Sequence, residues 1–445
     1  MIDTGTSMRA VRRALPSLLL ASAALPGLVG EAQAGGFGLR EQSSYYQGMS
    51  FAGNAAGGAG LASMYWNPAA VSFVPGMQVE GNISYIAPHA SIDIVSARGP
   101  LGTNLGPLGV GNIVDNGAIP TGYATYAWDR VAVGLSLNAP FGLVTDAPCN
   151  WAGRYYGCYN RIFDLNVGAQ VAFKVTDWLT LGAGVNANYI DARLTNAQML
   201  GGPPTYPQGS AAVNGSDMGY GFSLGALFTL MPGTTLGVGY RSFIDQTLDG
   251  LTTLDNAAGI TVATLATNAD LTLPDQITAS LRSQIDPRWT LLGTVEWTNW
   301  STVQQLVIQP VKSTPSVLNL QWNDGWFFSG GVEYQWDPQL TLRAGIAYEI
   351  SPINDEHRSP RLPDSDRFWV SAGLTYAWTP HLSLDLAYTH IFGQDGNITL
   401  SPADPANATR GSLAATVSDA YVDIISVGVR YRFDAPIQKT VLVTK

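Results

Sequence analysis

The chain has 445 residues, of which 46% are hydrophobic and only 13% charged, and its formal net charge is −10. Charged residues make up about a quarter of an average soluble domain, so this composition argues against a large water-exposed enzyme. The acidic balance argues against a nucleic-acid-binding surface, and we expect no nucleic-acid partner.

The N-terminus has the pattern of an export signal. Three arginines precede an apolar stretch over residues 14–29, which ends in Ala32-Gln33-Ala34. The stretch is short for a spanning helix, whereas a basic start, an apolar centre and a small-x-small end are typical of a cleaved leader. We expect residues 1–34 to be a signal peptide and Gly35 to be the first residue of the exported chain.

Residues 35–76 show no period-two alternation. They contain compact, turn-rich pieces, among them Asn67-Pro68-Ala69, and many aromatic side chains. Disordered tails contain few aromatic residues, so a packed plug is favoured over a solvated tail. We expect a hatch here and assign Asn67, Pro68 and Ala69 to it, with the hatch moving near these three residues.

From residue 77 onward, apolar and small or polar residues alternate. In the stretch 130–138, Val131, Val133, Leu135 and Leu137 alternate with such residues, which is typical of a strand with one apolar face. Beyond residue 34 there is no run of 18 apolar residues that would indicate a spanning helix. Fourteen alternating stretches occur, at 77–87, 118–128, 130–138, 161–175, 178–193, 218–230, 235–243, 275–285, 288–298, 325–336, 340–350, 367–378, 382–392 and 423–433.

The links between these stretches alternate between short turns and long loops. The short links have turn chemistry, as in Asp286-Pro287 and Asp337-Pro338. An even number of strands joined in this way is the layout of an outer-membrane barrel. We therefore predict an all-β fold, a 14-stranded antiparallel transmembrane β-barrel over residues 77–433, with a hatch at 35–76 and a C-terminal extension at 434–445.

The two faces of the predicted strands differ in charge. The predicted lipid face has no charged residue, as expected if an Arg or Lys at the bilayer midplane costs roughly 2 to 4 kcal/mol. The opposite face has six acids and six bases, which favours internal ion pairs over selectivity for ions of one sign. These residues are Glu80, Asp164, Glu296, Glu333, Glu349, Asp385, Lys174, Arg241, Arg282, Arg343, Arg430 and Arg432.

Several ordered motifs stand out in the chain: Asn67-Pro68-Ala69, residues 138–143, Tyr240-Arg241-Ser242, residues 296–301 and residues 362–369. Together they resemble the FadL family of outer-membrane long-chain fatty acid transporters, which also includes uptake proteins for toluene, xylene and similar hydrocarbons. The resemblance extends over essentially the whole exported chain. It implies a barrel closed by an N-terminal hatch, a hydrophobic groove between outer loops, an internal apolar pocket and lateral exit at a kinked third strand.

The end of the third predicted strand is the candidate exit. Proline has no backbone donor for a strand ladder, so Pro140 favours an edge, a bulge or an opening. Ser136 and Asn138 are expected to face inward and leave room. We assign Ser136, Asn138, Pro140 and Gly142 to a lateral gate, and an ordinary loop start is the alternative.

The resemblance also indicates substrate-binding residues. The loops at 194–217 and 244–274 are rich in apolar residues, and exposed apolar patches usually mark binding surfaces, although these loops could also pack on themselves. Family pockets can hold a head group with basic side chains; here Arg193 lies near one such place, and a neutral Asn323 at another would suit an uncharged ligand. The assigned residues are Phe141, Leu143, Trp151, Arg193, Met199, Leu200, Leu248, Leu251 and Leu254.

The two cysteines, Cys149 and Cys158, share one long loop in an oxidising compartment. We expect a disulfide there, worth roughly 2.5 to 3 kcal/mol in the chain-entropy model. The sequence around Ser223 matches the nucleophile elbow of hydrolases, but the alternation of a strand continues through it. We expect no metal, no cofactor and no enzyme activity.

The sequence thus predicts passive outer-membrane uptake of a hydrophobic small molecule, most simply a long-chain fatty acid. The expected steps are loop adsorption, entry into an apolar pocket, hatch movement and lateral exit, by a monomer surrounded by outer-membrane lipid. An aromatic hydrocarbon channel of the same fold is one alternative. A water-filled porin or a structural barrel is another, although a porin requires an open, polar constriction.

Overall fold

The computed structural model describes residues 35–199 and 208–433. The predicted signal peptide, Leu200 and the predicted C-terminal extension lie outside the described residues. None of the helices in the described ranges has the length and apolar character that a membrane-crossing helix requires.

In these ranges, twenty strands form a single sheet. Their bounds are β1 Gly76–Arg98, β2 Gly117–Trp128, β3 Val131–Asn138, β4 Gly142–Asp146, β5 Tyr159–Lys174, β6 Leu179–Met199, β7 Gln208–Met231, β8 Thr234–Arg241, β9 Ile244–Asp255, β10 Thr261–Leu273, β11 Gln276–Gln284, β12 Trp289–Thr298, β13 Gln305–Pro310, β14 Ser316–Asn319, β15 Gly325–Gln335, β16 Leu340–Ile350, β17 Arg367–Ala377, β18 Leu382–Gly393, β19 Gly396–Leu400 and β20 Ser412–Arg432.

Fourteen of the described strands form a closed antiparallel wall, because β20 pairs with β1. The pairing order is β1, β2, β3, β5, β6, β7, β8, β11, β12, β15, β16, β17, β18 and β20. Each of the fourteen predicted stretches coincides with one of these strands, so the predicted 14-stranded barrel is confirmed. A closed wall has no edge strand, so the backbone N–H and C=O groups of each strand find hydrogen-bond partners on the neighbouring strands and need none from solvent.

The remaining six strands lie in the long links and extend the wall on that side of the barrel. Several wall strands are also longer than predicted on the same side: β1 continues to Arg98 and β20 begins at Ser412. The alternation continues into these extensions, where Leu413, Ala415 and Val417 of β20 are buried and the residues between them are less so, but the predicted stretches stop short of them. Period-two reading therefore detected only the central part of these strands.

The outer face of the wall is apolar. Leu135, Val167 and Tyr220 have exposed fractions of 60%, 51% and 74%. Exposed aromatic residues form a ring next to the short turns, as expected at a membrane interface. They are Trp128, Trp178, Trp289, Trp336, Trp378 and Phe433.

Residues 35–75, here called the N-terminal segment, lie inside the barrel. The segment contains the short helices α1 (Ser44–Gln47) and α2 (Ser63–Trp66) and a 3-10 turn, Pro68–Ala70. Two other 3-10 turns, Trp300–Thr302 and Pro405–Asn407, lie in long links. Nearly every side chain of the segment is buried.

Glycines in the wall let the backbone of the N-terminal segment approach closely. A Cβ added to Gly345 would overlap the carbonyl of Met49, and one added to Gly239 would overlap the carbonyl of Trp66. A residue with a side chain at either position would have to displace backbone atoms. The small residues of the lumen therefore form a seat for the segment.

Eight of the twelve charged residues predicted to face the lumen form ion pairs there, whereas Asp164, Lys174, Arg241 and Arg432 pair with no opposite charge among the described residues. Arg343 pairs with Glu333 at 3.2 Å and with Asp385 at 3.3 Å. Tyr45 of the N-terminal segment donates a hydrogen bond to Glu333. Arg40, also in the segment, pairs with Glu296 and Glu349. The segment is thus joined to the wall by charge as well as by shape.

Replacing Gly345 with Val tests the seat. The added side chain would overlap Met49, and overpacking of this kind costs about 1 to 3 kcal/mol. We expect Gly345→Val to unfold at a lower temperature in detergent than the parent protein does. The measurement is the temperature at which the folded form, which migrates differently in a gel until it is heated, disappears. Gly330→Val is the matched control, since Gly330 lies on the neighbouring strand β15 and has open space around it. Equal stability of the two variants would contradict the seat.

Candidate functional site

A cavity of about 140 Å³ lies at the long-loop end of the barrel. It is bounded by strands β6, β7, β9, β10, β13 and β14, by loops and by the first residues of the N-terminal segment. Its walls are mainly aliphatic. The apolar lining includes Leu143, Ile162, Ala192, Leu194, Leu248, Leu271, Val303, Leu306, Ile308, Leu318, Leu320, Ile353, Leu362 and Leu400.

The inner end of the cavity is closed by an aromatic cluster. The ring of Phe37 lies 4.8 Å from that of Trp300, 5.8 Å from that of Trp322 and 5.6 Å from that of Phe141. Edge-to-face and tilted contacts at these distances are favourable beyond the area that they bury. The N-terminal segment therefore supplies the floor of the cavity.

The cavity has a basic side chain without an acidic partner. Arg361 is only 9% exposed, and it donates hydrogen bonds to the side-chain oxygen of Asn160, to the carbonyl of Thr195 at 3.3 Å and to Asn196 Oδ1 at 3.2 Å. These acceptors are neutral, and the buried Nε has no hydrogen-bond partner among the described residues. No carboxylate of the described chain pairs with Arg361, and residues 200–207 contain no acid.

Burial, together with the nearby charge of Arg410, lowers the pKa of Arg361 to about 9. Burial also lowers the pKa of Arg410, which lines the same cavity and donates to Ser316 Oγ and to the carbonyl of Val317 at 3.2 Å. A pKa of about 9 keeps Arg361 charged at pH 7. An anion in the cavity would offset the cost of burying that charge.

Two of the substrate-binding residues predicted from the sequence, Leu143 and Leu248, line the cavity. Phe141 lies in the aromatic cluster of the floor. Met199, Leu251 and Leu254 lie on the extended parts of β6 and β9 and are absent from the described lining, and Leu251 is 46% exposed.

Arg193 and Trp151 lie elsewhere. Ala192 and Leu194 line the cavity, so Arg193 between them belongs to the outer face of the wall, where it is exposed. The assignment of Arg193 to the head group is therefore not supported by the geometry. Trp151 packs in a separate apolar cluster, and its Nε1 donates to the carbonyl of Gly157 at 2.9 Å.

The loop that contains Trp151 is closed by a disulfide between Cys149 and Cys158. The same loop places Tyr156 in the cavity lining, where its hydroxyl donates to the carbonyl of Gly411 at 2.6 Å. The disulfide thus restrains one of the walls. Among residues 35–199 and 208–433, no cluster of three or more His, Cys, Asp or Glu side chains is placed to hold a metal ion.

Pairing between β2 and the third strand is interrupted above Asn138. The last ladder pair is Gly122 with Leu137, and the next bridge joins Val114 to Thr145. In between, the chain turns inward at Pro140 and pairs with the N-terminal segment. Leu39 N donates to the carbonyl of Pro140 and Gly142 N donates to the carbonyl of Phe37, both at 2.8 Å. Gly38 and Phe141 form an antiparallel bridge between these two bonds.

Gln42 spans this interruption and was not identified from the sequence. Its Nε2 donates to the carbonyl of Ala139 at 2.8 Å, and its Oε1 accepts from Asn138 Nδ2 at 3.2 Å and from Ala139 N at 3.3 Å. Its carbonyl accepts from the hydroxyls of Thr121 and Tyr123 on β2. Gln42 therefore takes the place of a neighbouring strand.

The four residues assigned to the gate surround this interruption. Ser136 and Asn138 face inward and are buried. Pro140 and Gly142 lie on the inward turn, where the carbonyl of Pro140 and the amide of Gly142 bond to the segment. No described ladder pair joins β2 to the third strand at Pro140, and its missing donor therefore costs nothing there.

The chain is similar to transport proteins of the outer membrane. A family model described as "Outer membrane protein transport protein (OMPP1/FadL/TodX)" matches residues 28–433. The long-chain fatty acid transport protein of Escherichia coli O157:H7 is 26% identical over 411 residues, 84% of this chain and 91% of that protein. Outer membrane protein P1 of Haemophilus influenzae is 27% identical over 455 residues, 93% of this chain and 98% of that protein.

Solved structures share the fold. A Pseudomonas aeruginosa FadL homologue superposes with a TM-score of 0.82 at 23% identity, covering 90% of this chain and 100% of that chain. The Ralstonia pickettii toluene transporter TbuX superposes with a TM-score of 0.63 at 20% identity, covering 90% and 99%. These likenesses confirm the closed barrel.

Replacing Gln42 with Ala tests its role at the interruption. The change removes the side-chain partners of the carbonyl and the amide of Ala139 and one of the two acceptors of Asn138 Nδ2, which keeps the hydroxyl of Tyr123. Each buried polar group left without a partner costs roughly 1 to 3 kcal/mol. We expect Gln42→Ala to show frequent ionic openings in single-channel recordings, where the parent protein stays closed. Gln47→Ala, an equally buried glutamine that bonds Ser84 and Ser426, is the control. Identical recordings for the two variants would argue against the role of Gln42.

Proposed function

We propose that this chain, which belongs to the OMPP1/FadL/TodX family of outer membrane transport proteins, takes up long-chain fatty acids. Its place in the outer membrane and the transport of hydrophobic compounds are properties of that family, and the closed barrel agrees with both. The choice of ligand is our inference from the cavity.

The observation that carries this choice is the buried Arg361. A long-chain fatty acid combines an apolar chain, which suits the aliphatic walls, with one carboxylate, which suits a guanidinium that has only neutral partners. Arginine and carboxylate form strong charge-assisted hydrogen bonds, often two at once. The unpartnered Nε is a donor that such a ligand can use.

Aromatic hydrocarbons are the second candidate. The floor formed by Phe37, Trp300 and Trp322 favours an aromatic guest, and one relative of known structure is a toluene transporter. A hydrocarbon would leave Arg361 buried without an anion, however. Since that arrangement costs free energy that a carboxylate would offset, the fatty acid is preferred.

The proposed route uses separate parts of the molecule. The ligand adsorbs on the long loops, where Leu251, Ile260 and Val262 are exposed. It then enters the cavity, displaces Phe37 from the floor and leaves sideways through the interruption beside Pro140. Hatch movement in this scheme concerns the first residues of the N-terminal segment.

No step of this route requires catalysis, and we propose that the protein is not an enzyme. Ser223, which matched a hydrolase motif, lies within β7 and pairs with both Gly184 and Arg241. A nucleophile elbow requires a sharp turn between a strand and a helix, and this serine lies on a continuous strand.

Replacing Arg361 with Gln tests the ligand class. We expect the purified parent protein to bind a long-chain fatty acid more tightly than the alcohol of equal length. Arg361→Gln should weaken binding of the acid by roughly 10- to 100-fold, the value of a charge-assisted hydrogen bond, while binding of the alcohol hardly changes. Arg361→Lys should give an intermediate affinity because it keeps the charge and loses the planar fork.

Arg193→Gln is the matched control, since Arg193 lies on the outer face and should not affect affinity. Equal binding of the acid and the alcohol by the parent protein would favour the hydrocarbon instead. Large, steady currents through the parent protein would favour a water-filled porin over either transporter.

A further inference from the structure

The backbone nitrogen of Gly35 lies against a buried carboxylate. It donates to Glu349 Oε1 at 3.1 Å, and a Cβ added to Gly35 would lie 2.9 Å from the same oxygen. Glu349 is 2% exposed, and its second oxygen, Oε2, is buried without a hydrogen-bond partner in the described part of the chain. We propose that Glu349 is the binding site for the α-ammonium group that processing creates at Gly35.

The covalent step is hydrolysis of the peptide bond between Ala34 and Gly35 by a signal peptidase. Water adds across the bond, Ala34 leaves with the new carboxylate and Gly35 keeps its nitrogen, which takes up a proton to become an ammonium group. An amide has one proton to donate, whereas an ammonium has three. One can remain on Oε1 while another reaches Oε2, so a single group satisfies both oxygens.

The local charges require a second cation. Arg40 pairs with both Glu296 and Glu349, so one guanidinium serves two buried carboxylates. Buried charges are stable when they are paired and hydrogen-bonded. An ammonium group at Gly35 balances the charges of Arg40, Glu296 and Glu349, and burial raises the pKa of the neighbouring Glu41 to about 7. The neighbouring Asp364 has its own partner, Arg367, and accepts from Gly36 N at 2.9 Å.

The ion pair would position the floor of the cavity. Phe37 lies two residues beyond Gly35, and its carbonyl accepts from Gly142 N at the start of β4. The same short stretch is therefore anchored to β16 through Glu349 and to the inward turn near Pro140. Processing in this scheme does more than release the leader, because it supplies the charge that holds the floor in place.

Labelling of the α-amine tests the proposal and requires no ligand, so it is independent of the proposed function. The purified exported protein is treated in detergent with formaldehyde and a borohydride, and methylation of the N-terminal peptide is followed by mass spectrometry. The amine has to leave a buried ion pair before it can react. We expect labelling in the parent protein to be at least roughly tenfold slower than in Glu349→Gln.

Glu333→Gln is the matched control, since Glu333 is a buried lumen carboxylate that pairs with Arg282 and Arg343, away from Gly35. It should keep the slow labelling of the parent protein. A second variant keeps Glu349 and inserts one Ala before Gly35, which moves the new ammonium by roughly 3.5 Å along the chain. Its α-amine should be labelled fast, and a retained gel-mobility shift would show that the barrel is still folded. This variant tests the proposal even if Glu349→Gln does not fold.

Two results would overturn the proposal. One is N-terminal sequencing of the exported parent protein that finds a first residue other than Gly35. The other is equally fast labelling of the parent protein and of the variants that remove or displace the ion pair.

Discussion

The structure depends on one constraint: in lipid, every backbone donor and acceptor has to find its partner within the protein. Closing β20 onto β1 meets that constraint for the whole wall except at the third strand. There the residues after Asn138 leave the ladder, and the N-terminal segment supplies replacement partners through Leu39, Phe37 and Gln42. Wall and segment are therefore a single hydrogen-bonding system, and the weakest part of the wall is the part that the segment completes.

Closure also creates an interior that has to be filled. Near the short turns, glycines of the wall accept the backbone of the segment, and the buried acids and bases neutralise one another. Near the long loops, aliphatic and aromatic side chains leave a cavity, and Arg361 remains there with neutral partners. The interior thus changes from densely packed and neutral to mainly apolar, with Arg361 hydrogen-bonded only to neutral groups. That gradient distinguishes the part of the lumen that supports the barrel from the part that can bind a guest.

The wall could be predicted from the sequence because lipid on one side and protein on the other impose a period of two on each strand. The position of the third-strand interruption could also be approached through Pro140. The binding residues were harder to predict, because the cavity is assembled from loops that are distant in sequence and have no common periodicity. The family resemblance pointed to Arg193, but its place in the alternation puts it on the outer face. Arg361 lies in an irregular loop with no such pattern. The role of Gln42 could not be predicted from the sequence, because nothing distinguishes it from the other glutamines until the position of the Ala139 backbone is known.

The seat at Gly345 and Gly239 has an implication for how far the N-terminal segment has to move. Around Met49 and Trp66 the segment touches the wall backbone to backbone, and such contacts leave no room for sliding or tilting. Around residues 35–42 it is held by side-chain and backbone hydrogen bonds, which water or a ligand can replace one at a time. Along the proposed route only residues 35–42 would therefore have to move, and the rest of the segment could stay in its seat. A passage opened by so few residues would be narrow, which suits a slender apolar molecule better than ions or water.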